Sequence, residues 1–254
     1  MNILDVIGPV MVGPSSSHTA GAVRIGLAAQ KLMGEPVKEA LLYFHGSFWA
    51  TGKGHGTDRA LVAGLLGLAV DDPKIPHSFL LAKEQGMEFA IEGIDLGDEV
   101  HPNTVKMKLR GESGRELEIV ASSIGGGRIQ IDEIDGLAIN ISGDYPTLIV
   151  HNLDQPGHVT EVTSTLAHKS VNIATMQLYR SGRGKDAVMV IECDQEIPTD
   201  SIRWLEHLEG IRKVTYLSME SAGERLSDRT DKVEPPLEDV PNRYIGKRGG
   251  QSLV

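Results

Sequence analysis

Residues 147–217 decide the fold class of the C-terminal part of the chain, and they read TLIVHNLDQPGHVTEVTSTLAHKSVNIATMQLYRSGRGKDAVMVIECDQEIPTDSIRWLEHLEGIRKVTYL. Their apolar runs and turn residues predict six elements: strand 147–150, helix 157–168, strand 171–179, strand 187–191, helix 199–208 and strand 213–217. Each helix has apolar residues on one face, namely Val159, Val162 and Leu166 on the first and Ile202, Leu205 and Leu208 on the second. This β-α-β-β-α-β order predicts a ferredoxin-like domain.

The residues before this stretch alternate between helical and strand patterns. They predict a helix at 15–33, a strand at 37–44, a glycine-dense loop through Gly56, a helix at 57–70 capped by Thr57 or Asp58, and β-like runs at 87–94, 103–109, 117–124 and 138–141. We therefore expect an α+β protein with a mixed α/β domain at 1–144, the ferredoxin-like domain at 145–220 and a flexible tail at 221–254.

Composition and charge narrow the function classes. The formal net charge of -10 repels phosphate backbones, and no basic stripe offsets it, so nucleic-acid binding is not expected. No apolar run reaches the roughly 20 residues of a membrane span, and the N-terminus lacks the basic start of a signal peptide. We expect a cytoplasmic protein that does not bind membranes.

Cysteine usage limits the metal chemistry that this chain supports alone. Its single cysteine, Cys193, forms no internal disulfide and cannot by itself hold zinc or an iron–sulfur cluster. Neither an H-E-x-x-H motif nor a closely spaced Cys/His set is present, which argues against a zinc enzyme. No metal ligands are predicted in this chain, so any cluster must be ligated elsewhere.

The first candidate motif is G-P-S-S-S-H-T at 13–19, at the start of the predicted helix. Hydroxyls, an imidazole and unpaired backbone N–H groups at the positive end of a helix dipole suit a carboxylate ligand. The candidate residues are Ser16, Ser17, His18 and Thr19. The alternative is a helix with several capping serines and a solvated His18, and local chemistry alone does not decide between them.

The second candidate motif is H-G-S-F-W-A-T-G-K-G-H-G-T-D at 45–58. It does not fit a nucleotide-binding loop, because Lys53 is followed by Gly54 rather than Ser or Thr and no G-x-G-x-x-G frame fits. The remaining interpretation is a flexible backbone that brings His55 close to a small substrate, with Lys53 as a local positive charge. An ordinary tight turn with a solvated His55 is the alternative.

The third candidate motif is H-N-L-D-Q-P-G-H-V at 151–159, between the first strand and first helix of the ferredoxin-like unit. Its exposed N–H groups and amide side chains could bind the amine and carboxylate of an amino acid. The candidate effector ligands are Asn152, Gln155, Gly157 and His158. The alternative is a plain connector in which Asn152 caps the turn.

The first two motifs together resemble those of the β subunits of bacterial iron–sulfur L-serine dehydratases. Residues 145–219 resemble an ACT domain, with D-Q-P-G at Asp154 to Gly157 matching its ligand loop, so the likeness covers roughly 220 residues. The tail beyond Ser221 is longer than this family leads us to expect.

The resemblance implies a two-chain lyase of serine catabolism that converts L-serine to pyruvate and ammonia. It implies that a cysteine-bearing α subunit ligates a [4Fe–4S] cluster, and that ACT domains can pair into a dimer. It also assigns roles: His55 is the catalytic base, Ser16, Ser17, His18 and Thr19 orient L-serine, and Lys53 adds charge or bridges the subunits.

Two other interpretations stay open. The first domain also resembles the allosteric substrate-binding domain found beside ACT domains in some phosphoglycerate dehydrogenases. The chain could therefore be a regulatory serine-binding subunit without a catalytic group. A free-standing amino-acid sensor without a partner chain is the third interpretation, and the His55 loop is the feature that a binding module would not need.

Overall fold

The computed structural model describes residues 11–218 of the chain. Within that range the chain divides into two compact units, one extending to Ala138 and the other beginning at Ile139. The domain limits expected from the sequence stay predictions, and the predicted tail at 221–254 lies outside the described residues. The architecture confirms the predicted α+β fold class.

The first unit combines a six-stranded sheet with helices. Its helical elements are a π-helical turn Ser16–Gly21, α1 Ala22–Met33, α2 Gly46–His55, α3 Thr57–Leu65, a 3-10 turn Ile75–His77 and α4 Ser78–Glu84. Its strands are β1 Val37–His45, β2 Glu88–Ile94, β3 Thr104–Gly111, β4 Glu116–Gly125, β5 Arg128–Ile134 and β6 Leu137–Ile141, which crosses the unit boundary. The sheet order is β2-β1-β3-β4-β5-β6, with β1 parallel to β2 and antiparallel to β3.

The strands alternate between a buried and a charged face. Val105, Met107 and Leu109 of β3 are buried, whereas Lys106 and Lys108 between them form ion pairs with Glu118 of β4 at 2.6 and 3.3 Å. This period-two pattern is that of an antiparallel sheet with one face packed on the core and one face in water.

Helix α1 packs against α3 through two glycines. A Cβ on Gly26 would lie 2.3 Å from the Leu61 carbonyl oxygen, and a Cβ on Gly64 would lie 2.1 Å from the Val23 carbonyl oxygen. Only glycine permits backbones to come this close. The contact fixes α3, and with it the turn at Gly56 that ends α2.

Three sequence predictions for this unit were wrong or incomplete. The segment predicted as a glycine-dense loop before Gly56 is the helix α2. Helix α3 ends at Leu65 rather than near 70, and it starts from Gly56 in a left-handed conformation (φ 70°) without a side-chain cap from Thr57 or Asp58. The sequence patterns also missed α4 and β5.

The second unit has the predicted β-α-β-β-α-β order. It comprises β7 Thr147–Leu153, α5 His158–His168, β8 Ile173–Arg180, β9 Asp186–Cys193, α6 Thr199–Glu206 and β10 Ile211–Leu217. All its strand pairs are antiparallel, in the order β10-β7-β9-β8. This topology confirms the ferredoxin-like prediction.

One apolar core holds the second unit together. Leu148 and Val150 of β7 and Met189 of β9 are fully buried with Val162 and Leu166 of α5. Val159, which the sequence pattern placed on the same helix face, is instead 40% exposed. Among residues 11–218, no helix combines the length and the hydropathy that crossing a bilayer requires.

Candidate active site

The first motif forms a π-helical turn, a conformation that is rare in proteins overall but is often found at functional sites. Ser15 caps it, with its Oγ accepting a hydrogen bond from the backbone N–H of His18 at 3.1 Å. Gly13, at φ +134°, allows the chain to approach closely, because a Cβ there would lie 2.5 Å from Cγ2 of Thr19. The turn thus presents His18 at the start of a continuous helix with α1.

Helix α2 forms although its sequence, GSFWATGKGH, contains three glycines. Tertiary contacts explain this, since packing rather than propensity usually stabilises short helices. The carbonyl of Pro102 accepts hydrogen bonds from Ser47 N at 2.7 Å and Phe48 N at 3.3 Å. The Phe48 ring is fully buried, with its centroid 5.9 Å from that of Phe44.

The two motifs meet at their histidines. The ring centroids of His18 and His55 are 5.0 Å apart. Nε2 of His18 lies 3.1 Å from Thr51 Oγ1 and 3.2 Å from Ser47 Oγ. Nδ1 of His55 lies 3.1 Å from the Thr51 carbonyl oxygen. Two imidazoles and two hydroxyls therefore converge between the π-helical turn and one face of α2.

Thr19 joins the same elements through the backbone. Its buried hydroxyl donates to the carbonyl oxygen of His55 at 3.4 Å. This bond uses the last carbonyl of α2, which has no partner within the helix. Thr19 therefore links the π-helical turn to the end of α2, and its contact with substrate stays a prediction.

Burial and charge both act on His18. Its pKa lies below the usual value, first because burial disfavours the charged ring and second because a positive charge on His55 repels it. The His18 ring also packs edge-on against Phe48, at a centroid distance of 5.4 Å. His18 is therefore biased toward the neutral form at neutral pH.

The remaining predicted substrate ligands are placed less directly. Ser16 and Ser17 are partly buried in the first turn of the π-helix and stay predicted ligands. Lys53 is exposed on α2, two residues from both Thr51 and His55. Two helical steps turn a side chain by about 200°, so Lys53 lies on the opposite side of α2 from the face that meets His18.

Sequence reasoning missed Ser47 and Thr51. Both lie on α2 at i−8 and i−4 from His55, and Thr51 Oγ1 also donates to the Ser47 carbonyl oxygen at 2.9 Å. The i, i+4, i+8 spacing of polar residues was a readable helical signal. It was overlooked because the glycines suggested a loop.

The predicted effector loop in the second unit, residues 152–158, is partly buried. Asn152 and His158 are buried, while Gln155 and Gly157 (φ +107°) are exposed. Within residues 11–218, Oδ1 of Asn152 and Nε2 of His158 have no hydrogen-bond partner. The effector role of these four residues stays a prediction.

The described residues do not themselves fit a metal cluster. Cys193 is fully buried in the core of the second unit, and burial raises its pKa to about 11, so it is not a ready thiolate. Residues 11–218 contain no group of three or more His, Cys, Asp or Glu side chains that could hold a metal ion.

Comparisons with known proteins identify the family of the chain. The family model described as "Serine dehydratase beta chain" matches residues 3–134, which include both motifs. The probable L-serine dehydratase beta chain of Bacillus subtilis is 41% identical over 219 residues, covering 85% of this chain and 98% of that protein.

Two further relatives match less closely or over part of their length. The L-serine dehydratase beta chain of Peptoniphilus asaccharolyticus is 40% identical over 199 residues, covering 78% of this chain and 89% of that protein. The D-3-phosphoglycerate dehydrogenase of B. subtilis is 26% identical over 202 residues, with 37% of its length covered. The paired-histidine site thus lies within the matched family region, and the chain belongs to the serine dehydratase beta chain family.

Proposed function

We propose that the chain acts with a cysteine-bearing α subunit to deaminate L-serine to pyruvate and ammonia. The observation that carries this proposal is the convergence of His18 and His55, with ring centroids 5.0 Å apart, beside the hydroxyls of Ser47 and Thr51. A subunit that only binds an amino acid would not need two imidazoles at this distance. Family membership supports the same activity.

His55 is the proposed catalytic base. The reaction removes the α-proton of L-serine, expels the β-hydroxyl as water and hydrolyses the resulting enamine. Removing a weakly acidic α-proton needs a positioned base, and histidine is the side chain that most often serves as one. The His55 ring is held at one nitrogen by Thr51, and no Cβ crowds the backbone on either side of it, at Gly54 or Gly56.

His18 is proposed to orient the substrate rather than to take the α-proton. It lies at the N-terminal end of a helix with Ser16 and Ser17, where backbone N–H groups and the helix dipole favour a carboxylate. Lys53, on the other side of α2, is proposed to contact the partner subunit instead of the substrate.

A [4Fe–4S] cluster on the α subunit is the proposed cofactor. This chain has one cysteine in its sequence, and that cysteine is buried in the core of the second unit, so its residues cannot supply the cluster's thiolate ligands. When bound in the partner chain, the cluster would supply Lewis-acid assistance to loss of the β-hydroxyl.

Reconstitution tests this proposal. The purified chain alone should produce no pyruvate from L-serine, whereas the chain co-purified with a cysteine-bearing partner should be brown, absorb near roughly 400 nm and turn over serine. Turnover by the chain alone would contradict the proposal. An active complex that keeps its rate when both His18 and His55 are alanine would show that the chain is regulatory.

A further inference from the structure

Thr51 lies between the two histidines and contacts both with different atoms. Its side-chain Oγ1 is 3.1 Å from Nε2 of His18, and its backbone oxygen is 3.1 Å from Nδ1 of His55. One residue therefore meets one ring nitrogen of each imidazole. Because a neutral imidazole carries a proton on only one nitrogen, these contacts bear on which nitrogen of each ring is left free.

The His55 contact has one chemical solution. A backbone carbonyl oxygen accepts hydrogen bonds and cannot donate them, so Nδ1 of His55 must be the donor. Neutral His55 then carries its proton on Nδ1. Its Nε2 is consequently unprotonated and carries the lone pair.

The His18 contact follows from the single proton of the Thr51 hydroxyl. That hydroxyl lies 2.9 Å from the Ser47 carbonyl oxygen, which can only accept, so the proton is directed there as in other i−4 back-bonded threonines. Thr51 Oγ1 can then only accept from His18. Neutral His18 is thereby protonated on Nε2, and its Nδ1 carries the lone pair.

Ser47 adds a second oxygen on the same side of His18. Its Oγ lies 3.2 Å from His18 Nε2 and 3.4 Å from Thr51 Oγ1. Because the pKa of His18 is lowered, its ring is neutral near pH 7, and only one of its two nitrogens carries a proton at that pH.

We propose that Thr51 is a positioning residue that fixes the protonation pattern of both rings, leaving Nδ1 of His18 and Nε2 of His55 as the proton-accepting atoms. Only the catalytic consequence of this inference depends on the proposed function. His55 presents Nε2 to the α-proton of serine, whereas Nδ1 of neutral His18 accepts a hydrogen bond from the ammonium or hydroxyl group of the substrate. The carboxylate is then left to the backbone N–H groups at the helix start. The hydroxyl oxygen of Thr51 determines which nitrogen of His18 is protonated, and its backbone carbonyl oxygen does the same for His55.

Nitrogen NMR of the full-length chain tests the inference without any activity. With 15N-labelled histidine at about pH 7.5, ring nitrogens bearing a proton and those bearing a lone pair have well-separated chemical shifts, and H18Q and H55Q variants assign the two rings. We expect proton-bearing Nε2 in His18 and proton-bearing Nδ1 in His55. The opposite pattern in either ring would overturn the proposal for that ring.

Thr51→Val separates the two effects within one molecule. It removes the hydroxyl but keeps the backbone carbonyl, so His18 should change to a mixture of protonated nitrogens while His55 keeps its proton on Nδ1. Thr51→Ser should restore the wild-type pattern of His18. If His18 is unchanged in Thr51→Val with the amide spectrum intact, Thr51 does not set its protonation.

Kinetics of the complex with the partner chain give the second readout. Losing one such hydrogen bond should lower kcat/KM of Thr51→Val about two- to tenfold, and Thr51→Ser should recover to within about twofold. An unchanged rate together with the expected NMR change would place the effect outside catalysis and overturn the catalytic consequence. A complex without serine dehydratase activity would instead count against the proposed function, while the NMR result stands independently.

Discussion

The two units each place a histidine beside a glycine turn, yet the surroundings of these histidines differ. His55 is exposed, has one ring nitrogen bonded to a carbonyl and lies next to a second imidazole. His158 is 7% exposed, its Nδ1 lies 3.3 Å from Glu161 Oε2, and a Cβ on Gly210 would lie 2.5 Å from its Nε2.

The difference separates chemistry from packing. Proton transfer needs a ring held at one nitrogen and open to substrate at the other, which His55 satisfies. His158 is buried, with Glu161 at one ring nitrogen and Gly210 close to the other, so its surroundings are those of a packed side chain. The same sequence signal, a glycine beside a histidine, therefore has two structural meanings in one chain.

The largest expected effect tests the catalytic side of this comparison. His55→Ala in the reconstituted complex should lower kcat by about 100-fold to 10,000-fold, the usual contribution of a positioned acid or base. His207→Ala is the matched control, because His207 is also exposed and its Nδ1 also contacts a carbonyl four residues earlier, that of Arg203. Steady-state kinetics at saturating serine measure both, and equal rates for the two variants would remove the distinction.

A smaller effect tests the packing side. Gly210→Ala should destabilise the protein by about 1–3 kcal/mol more than Gly184→Ala, because the new methyl group collides with His158. Gly184 has a similar positive φ, 72° against 80°, but nothing lies within 4 Å of its Cβ position, so it controls for backbone strain. Urea unfolding measures the difference, and similar losses in both variants would mean that His158 yields freely.

The smallest expected effect is the pH dependence that arises at His18. Its folded-state pKa is lowered, so below its ordinary value of about 6.5 the unfolded chain binds a proton more readily than the folded chain. The contribution of neutral His18 to the free energy of unfolding is fully present above that pH. It is lost as the pH falls toward the lowered folded-state pKa. His18→Gln should therefore flatten the decrease in unfolding free energy between about pH 7 and 5, whereas an unchanged slope would contradict the pKa assignment.

The second unit was the more predictable part of the fold. Its strands and helices have separate apolar patterns, and turn residues such as Pro156 and Gly157 stand where the chain reverses or a helix begins. The one misplaced core residue, Val159, lies in the first turn of α5 and is partly exposed. Local sequence carried the information that this small fold requires.

Helix α2 shows where local information was insufficient. Its stability comes from Pro102 and from the packing of Trp49 against Gly93, both distant in sequence, and from Phe44 at the end of the preceding strand. None of these contacts is visible in the pattern GSFWATGKGH. In the sequence, His18 and His55 belong to two separate motifs, and nothing in either motif indicates that the two rings lie close together. Ser47 and Thr51 became visible as site residues only once α2 was known to be helical.

The most direct test of the central claim, that His18 and His55 form one functional unit, is a double-mutant cycle on kcat in the reconstituted complex. If the two imidazoles serve the same step, adding His18→Ala to His55→Ala should lower kcat by no more than a few-fold beyond the His55→Ala loss, as in other catalytic groups that act together. The absorbance of the cluster should be the same in all variants. If the losses of the two single variants multiply in the double variant, the histidines act independently and the claim of a shared site is contradicted.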